Sequence, residues 1–309
     1  MTSDSRAQST ADVIAISESR MSRQAWLLFW SMGLLWGLPY LLIKVAVVEV
    51  SPTALAGART ILAALVLVPM AVRAGALRPA LRLWPWVFAF ALMEIAIPWV
   101  LVANAETRVT SGFAGLMIAS VPIVGAVVSW ILGDHHALDR VRLMGLAVGV
   151  LGVGALVGLD SLAGQIDVLS VVELILVAVG YAAAPALAAR RLAGVPSIGV
   201  LAVAFFGVAA MYAPTTFGEF SHGLPSPKVI GAVLVLAFVC SALAFILFFK
   251  LMALVGPARS TVITFVNPGV AIVLGVIVLQ EPLTLGTVVG FPLVLFGSYL
   301  ATRSPAKLS

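Results

Sequence analysis

Apolar residues in this chain fall into long, almost unbroken runs separated by short polar stretches. A helix needs about 20 apolar residues to cross the hydrocarbon core of a bilayer. The pattern predicts ten such spans. The first five are Trp26–Val48, Thr53–Val72, Trp84–Ala103, Thr110–Leu132 and Leu143–Leu159. The second five are Val168–Ala189, Ile198–Phe217, Val229–Met252, Ser260–Leu279 and Leu285–Thr302. The connections are too short for a second soluble domain. Residues 1–24 are polar and mixed in charge, and are expected to form a disordered cytoplasmic tail. The apolar run after them is too long and too far from the start for a cleaved signal peptide, so it is expected to stay as a helix.

Composition agrees with the pattern. The chain of 309 residues is 62% hydrophobic and 10% charged, where a soluble domain carries about 25% charged residues. Mean hydropathy is +1.15 and the formal net charge is +5. That charge does not point to nucleic acid, because the basic residues lie between the apolar runs and report orientation instead. With a cytoplasmic N-terminus, fourteen of the 18 Lys and Arg residues fall on the cytoplasmic side, and only Lys44, Arg59, Arg108 and Lys228 fall outside. The alternation persists through the last span, so both termini are expected in the cytoplasm, with residues 303–309 a second short tail.

Cys240 is alone and excludes an intrachain disulfide. His135, His136 and His222 have no metal-site spacing. No Gly-x4-Gly-Lys-Ser/Thr occurs, so no nucleotide-driven role is read from the chain. Neither a metal nor a cofactor is expected.

Spacing reveals an internal repeat. Pro122 is followed 23 residues later by Gly145 and then, after seven more, by Gly152. Pro268 is followed 22 residues later by Gly290 and then, again after seven, by Gly297. Two units of five spans, 25–159 and 160–302, must have opposite orientations because five is odd. Inverted repeats of this kind are common in secondary transporters. The expected fold is therefore an all-α membrane protein of ten transmembrane helices in two inverted five-helix repeats.

One stretch runs from Gly256-Pro257-Ala258 through Pro268 to Gln280-Glu281-Pro282, then Gly290 and Gly297. It resembles the C-terminal repeat of EamA-type transporters, in the drug/metabolite transporter superfamily. Trp36-Gly37-Leu38-Pro39, Lys44, Ser51-Pro52 and Arg59 extend the resemblance to the start of the chain. The resemblance implies two EamA repeats around a central cavity and export of amino acids, other metabolites or drugs. The chain departs from the family where Asp134-His135-His136 stands in place of a Glu after the fourth span.

Polar groups inside apolar runs carry a cost and need a reason. Glu94, near the middle of the third span and one turn before Pro98, is a candidate for substrate-amine contact or proton coupling. Trp36 and Tyr40 share a helix face with Lys44 and are read as cavity lining. For Lys44, at the span end, snorkelling to the interface is the preferred reading. Thr261, Thr264 and Asn267 form a polar stripe ending at Pro268, and Tyr181 and Ser241 are further cavity candidates. Pro39, Pro122 and Pro268 are candidate hinges.

These residues imply a secondary transporter in the plasma (inner) membrane, most simply an exporter of amino acids or similar small metabolites. Its partners are a small-molecule substrate and the lipid bilayer, and its oligomeric state is left open. An intramembrane enzyme would need paired carboxylates or a histidine set at depth, and the spans offer neither. Transport of phosphorylated or lipid-linked sugars would require several cavity-facing cations, whereas the basic residues are expected at span ends.

Overall fold

In a computed structural model of the protein, residues 21–131, 133, 140–162, 167–255 and 261–302 are described, with backbone alone at 129, 161, 162, 261 and 262. Most of the expected N-terminal tail, the C-terminal tail, Asp134-His135-His136 and Gly256–Ser260 lie outside them, as does the Thr261 side chain.

The described residues are helical, with no strand among them. The first five membrane-facing helices are α1 (Arg23–Ala46), α2 (Pro52–Arg73), α3 (Trp84–Ala105), α4 in two pieces (Ser111–Ile118 and Val121–Ile131) and α5 (Arg140–Leu162). They are followed by α6 (Val168–Arg191), α7 (Ser197–Phe220), α8 (Pro227–Val255), α9 (Ile263–Val278) and α10 (Leu285–Thr302). Nine are long and apolar enough to cross a membrane among the described residues, and α9 is the shorter one. Side-chain oxygens start several of them: Ser22, Ser51, Thr110 and Asp167 accept from backbone N–H groups of their own first turns.

Three interruptions shape the interior. Pro98 has no N–H to give the Glu94 carbonyl, and a π-helical turn, Leu92–Ala96, absorbs the mismatch just before it. Helix α4 breaks at Ala119–Ser120, ahead of Pro122, and Ser298 Oγ of α10 donates to the freed Ala119 carbonyl at 2.7 Å. Helix α8 is π-helical over Val235–Leu243 with no proline to cause it, and Ser241 Oγ donates to the Leu236 carbonyl at 2.7 Å. The π segments of α3 and α8 each follow 8 residues of α-helix. They therefore occupy corresponding places in the two halves.

Lipid supplies no hydrophobic drive between helices, so close packing of small residues has to hold them. The α5–α10 and α2–α7 pairs make the most extensive contacts. At α5–α10 the glycines of the sequence repeat meet: a Cβ on Gly145 would lie 2.7 Å from the Gly297 carbonyl oxygen, and one on Gly290 would lie 3.0 Å from that of Gly152. The repeated spacing is thus the two faces of one helix crossing. Large apolar side chains such as Trp30, Leu151, Phe206 and Ile277 are exposed on the outside of the bundle, as a lipid-facing surface requires.

Candidate functional site

Arg59 is the centre of the polar interior. It lies within α2 and is 7% exposed. This corrects the expectation that the basic residues sit at span ends: small neighbours, Ala56 to Ala58, let the guanidinium turn inward between helices instead of outward. Its Nε donates to Ser241 Oγ of α8 at 2.8 Å, and its Cζ stands 3.5 Å from the Trp99 ring centroid of α3. Among the described residues no carboxylate lies within ion-pair distance of it.

Around Arg59 the helices gather Tyr40 from α1, Tyr181 from α6 and Cys240 from α8, each close enough to act on its charge. Tyr181 is also an electrostatic neighbour of Glu94 and has the Trp99 indole beside its hydroxyl. Glu94 sits in the π turn of α3, where its Oε2 is buried with no hydrogen-bond partner among the described residues. A buried cation and a buried carboxyl therefore border the same tyrosine without pairing with each other.

Four of the residues singled out by sequence, Tyr40, Glu94, Tyr181 and Ser241, come together here. Pro98 sits behind them, buried against α6, where a Cβ on Gly180 would meet the Met93 carbonyl at 2.5 Å. Trp36 is spent on packing, with its ring 5.7 Å from Phe245 and 4.9 Å from Phe248. A line of rings, Trp36–Phe245–Phe205–Trp99, links it to Arg59. Asn267 lies elsewhere, at the α9–α1 contact, and Thr264 precedes it in the 3₁₀ turn Thr261–Phe265. With its amide oriented by its acceptors, Asn267 donates to the Ile263 carbonyl at 3.0 Å and the Gly33 carbonyl at 3.2 Å. Pro39 lies within α1, and Pro268 lies within α9, where the 3₁₀ turn Thr261–Phe265 gives way to regular α-helix from Asn267. Arg59, Trp99 and Cys240 are the site residues that sequence reasoning missed.

A second polar layer closes the end of the bundle where α1 finishes, here the Lys44 end. Lys44 does not snorkel: its Nζ donates to the carbonyls of Glu106 at 2.6 Å and Val109 at 2.7 Å, where α3 ends and α4 begins. Acids then tie the two halves together. Glu281, after α9, accepts from Ser111 N at 2.9 and 3.0 Å and Ser111 Oγ at 2.7 Å. Gly275 leaves room for this contact, since a Cβ there would be 2.4 Å from Glu281 Oε2. Glu49 accepts from Ser226 N at 2.6 Å and Ser226 Oγ at 2.7 Å, and Glu219 from Ser51 N at 2.7 Å and Ser51 Oγ. Asp160 accepts from Gly286 N at 3.0 Å and Thr284 Oγ1 at 2.9 Å. Arg108 bonds Asp167 at 2.7 Å and Glu173 at 2.6 Å. The Ser226 N–H and hydroxyl hold the Glu49 carboxyl below the usual carboxylate range, and Ser170 does the same for Asp167.

Comparison with known proteins gives this arrangement a family context. The profile of the EamA-like transporter family matches residues 24–158 and again residues 169–303. The inner membrane transporter YedA of Escherichia coli (strain K12) is 30% identical over 288 residues, covering 89% of this chain and 92% of YedA. The transporter YvbV of Bacillus subtilis (strain 168) is 27% identical over 289 residues, covering 91% of this chain and 92% of YvbV. A solved structure titled "Crystal structure of protein" superposes with a TM-score of 0.64 at 20% identity, covering 90% of this chain and 96% of its own, a likeness of fold.

Proposed function

The chain belongs to the EamA-like transporter family, and we propose that it exports zwitterionic amino acids, or close analogues, by alternating access. It is a multi-pass membrane protein and a transporter, not an enzyme. The two EamA repeats support the alternating-access reading, because repeats in inverted orientation allow two mirror-related states around one midplane site. The basic-residue bias supports placing the Lys44 end outside and both termini in the cytoplasm. The likeness to YedA, an inner membrane transporter, supports an inner-membrane location.

One observation carries the substrate class: among the described residues Arg59 has no carboxylate at ion-pair distance and Glu94 Oε2 has no hydrogen-bond partner, and both groups neighbour Tyr181. A buried charge without a partner is costly, so the site is built for a ligand that brings the missing charges. A free amino acid does so, its carboxylate on the Arg59 guanidinium and its ammonium on Glu94. The Trp99, Tyr40 and Tyr181 rings supply apolar contact for a side chain. Glu94 can hold the ammonium or a proton but not both, which makes proton-for-substrate exchange the natural coupling.

The test is efflux of labelled amino acids from proteoliposomes, with methyl esters and N-acetyl derivatives as competitors. Free amino acids should move, and neither blocked form should compete. Arg59→Gln and Glu94→Gln should each cut flux at least about tenfold, since breaking one partner of a buried charge pair costs about 2–5 kcal/mol. Equal competition by the blocked forms, or unchanged flux in both variants, would sink the proposal. Phosphorylated or lipid-linked sugars fit less well. A phosphate calls for several cations, yet Lys44 is committed to two carbonyls and Arg108 to two acids.

A further inference from the structure

Glu106, at the end of α3, is 0% exposed, and neither carboxylate oxygen has a hydrogen-bond partner among the described residues. The groups that face it are Lys44 and Tyr40 from α1 and Glu281 from the α9–α10 connection. None of them satisfies it. The Lys44 ammonium is committed to the Glu106 and Val109 backbone carbonyls, and Glu281 is committed to Ser111. Arg108, two residues further on, turns away to Asp167 and Glu173.

A cleft of about 330 Å³ lies just outside, lined by Lys44, Val48, Glu49, Lys228, Val229 and Glu281 among others. Two of the groups that wall off Glu106 therefore also line a cleft on the surface of the bundle. Separating Lys44 from the α3–α4 turn would bring water from this cleft onto the carboxyl.

We infer that Glu106 is a proton-binding latch: the Lys44-end seal closes over a protonated Glu106, and the seal opens as that carboxyl ionises. A dry carboxylate with no donor is disfavoured, and binding a proton removes the charge. On opening, the Glu106 O–H bond breaks and the proton passes to water in the cleft. The carboxylate left behind is hydrated and lies close to the Lys44 ammonium. A metal cation suits the place poorly, because Lys44 already supplies positive charge and occupies the carbonyls. The sealed state thus holds one more proton than the open state. Falling pH on this side favours closure, by up to about tenfold per pH unit between the two pKa values. The latch rests on the alternating-access reading for its purpose, but it is independent of the substrate and of the Arg59–Glu94 site.

The experiment needs no substrate. Val229, 1% exposed in the sealed state, is replaced by Cys, and Leu224, 79% exposed in the α7–α8 connection, by Cys as a reference. Labelling by a membrane-impermeant maleimide is followed from pH 6 to 9 in proteoliposomes. Labelling of the chain without an added cysteine is subtracted, and the Val229→Cys rate is divided by the Leu224→Cys rate to cancel thiol chemistry. The ratio should rise with pH, several-fold or more in all, and Glu106→Gln should hold it at the low-pH level throughout. A flat ratio in the parent overturns the latch, as does an unchanged rise in Glu106→Gln. Should the Gln variant fail to insert, Glu106→Asp should keep the rise with a displaced midpoint, and an undisplaced midpoint counts against the proposal. Loss of amino-acid flux with the labelling profile intact would sink the substrate assignment and leave the latch standing.

Discussion

Arg59 shows how a single side chain sets the chemistry of the interior. Its guanidinium is buried, stacked on Trp99 and bonded through Nε to Ser241, and on the proposed reading the outer edge of its planar fork takes the substrate carboxylate. Lysine would keep the charge but lose both the stacking and the Nε bond. A desolvated cation–π contact is worth about 2 kcal/mol, so Arg59→Lys should raise the apparent KM for amino acids at least about tenfold. Trp99→Leu should do the same while leaving the charge in place, and concentration-dependent flux would check both. Glu94 was legible in the sequence because a carboxyl in the middle of an apolar run has no bland surroundings to explain it. Arg59 was equally visible as a lone charge among small residues, but counting it with the outward-facing charges concealed its role. Glu106 gave no signal at all, since it falls in a polar connection and its burial comes from tertiary contacts with α1 and the α9–α10 connection.

At the level of elements, the breaks and crossings differ in how far sequence announces them. Pro98 and Pro122 announce the interruptions of α3 and α4, because a missing N–H must free a carbonyl. The π segment of α8 contains no proline, so nothing local foretells it. The Pro–Gly repeat was legible as spacing, yet only the structure shows that its glycines touch across α5–α10. There a Cβ on Gly297 would lie 2.4 Å from the Gly149 backbone nitrogen, and neither backbone can yield as a flexible side chain would. Gly297→Val should therefore force the helices apart and cost about 1–3 kcal/mol or more, seen as a lowered Tm in detergent. Gly158, on the same α5, has nothing within 4 Å. Gly158→Ala should leave Tm unchanged or raise it, by up to about 1 kcal/mol of helix propensity. Equal losses from both substitutions would mean that the crossing is not what holds the pair.

Across the whole molecule, the links at the Lys44 end join first-half helices to second-half helices, but they cannot all do the same work. Asp160 and Glu219 reinforce the α5–α10 and α2–α7 pairs, which are already the most extensively packed. Glu281 spans from the α9–α10 connection to the start of α4, beside the cleft and beside Glu106. Alternating access, as proposed, needs some inter-helix contacts to persist and others to break, and on that reading the packed pairs serve as axes and the polar tips as seals. The Glu49 and Asp167 links survive moderate acid. Their depressed carboxyls stabilise above the ordinary carboxylate range and lose that contribution only as pH falls through their lowered values. They therefore cannot generate a labelling change between pH 6 and 9. Removing the charge of a helix-start acceptor costs about 0.5–2 kcal/mol, which shifts a two-state ratio about 2–30-fold. Glu281→Gln should raise Val229→Cys labelling by about that factor at every pH, with the pH slope intact because Glu106 remains. Asp160→Asn should lower Tm in detergent without changing the labelling. Faster labelling from Asp160→Asn, or none from Glu281→Gln, would move the seal away from the α4–α9 contact and make the α5–α10 pair the moving part.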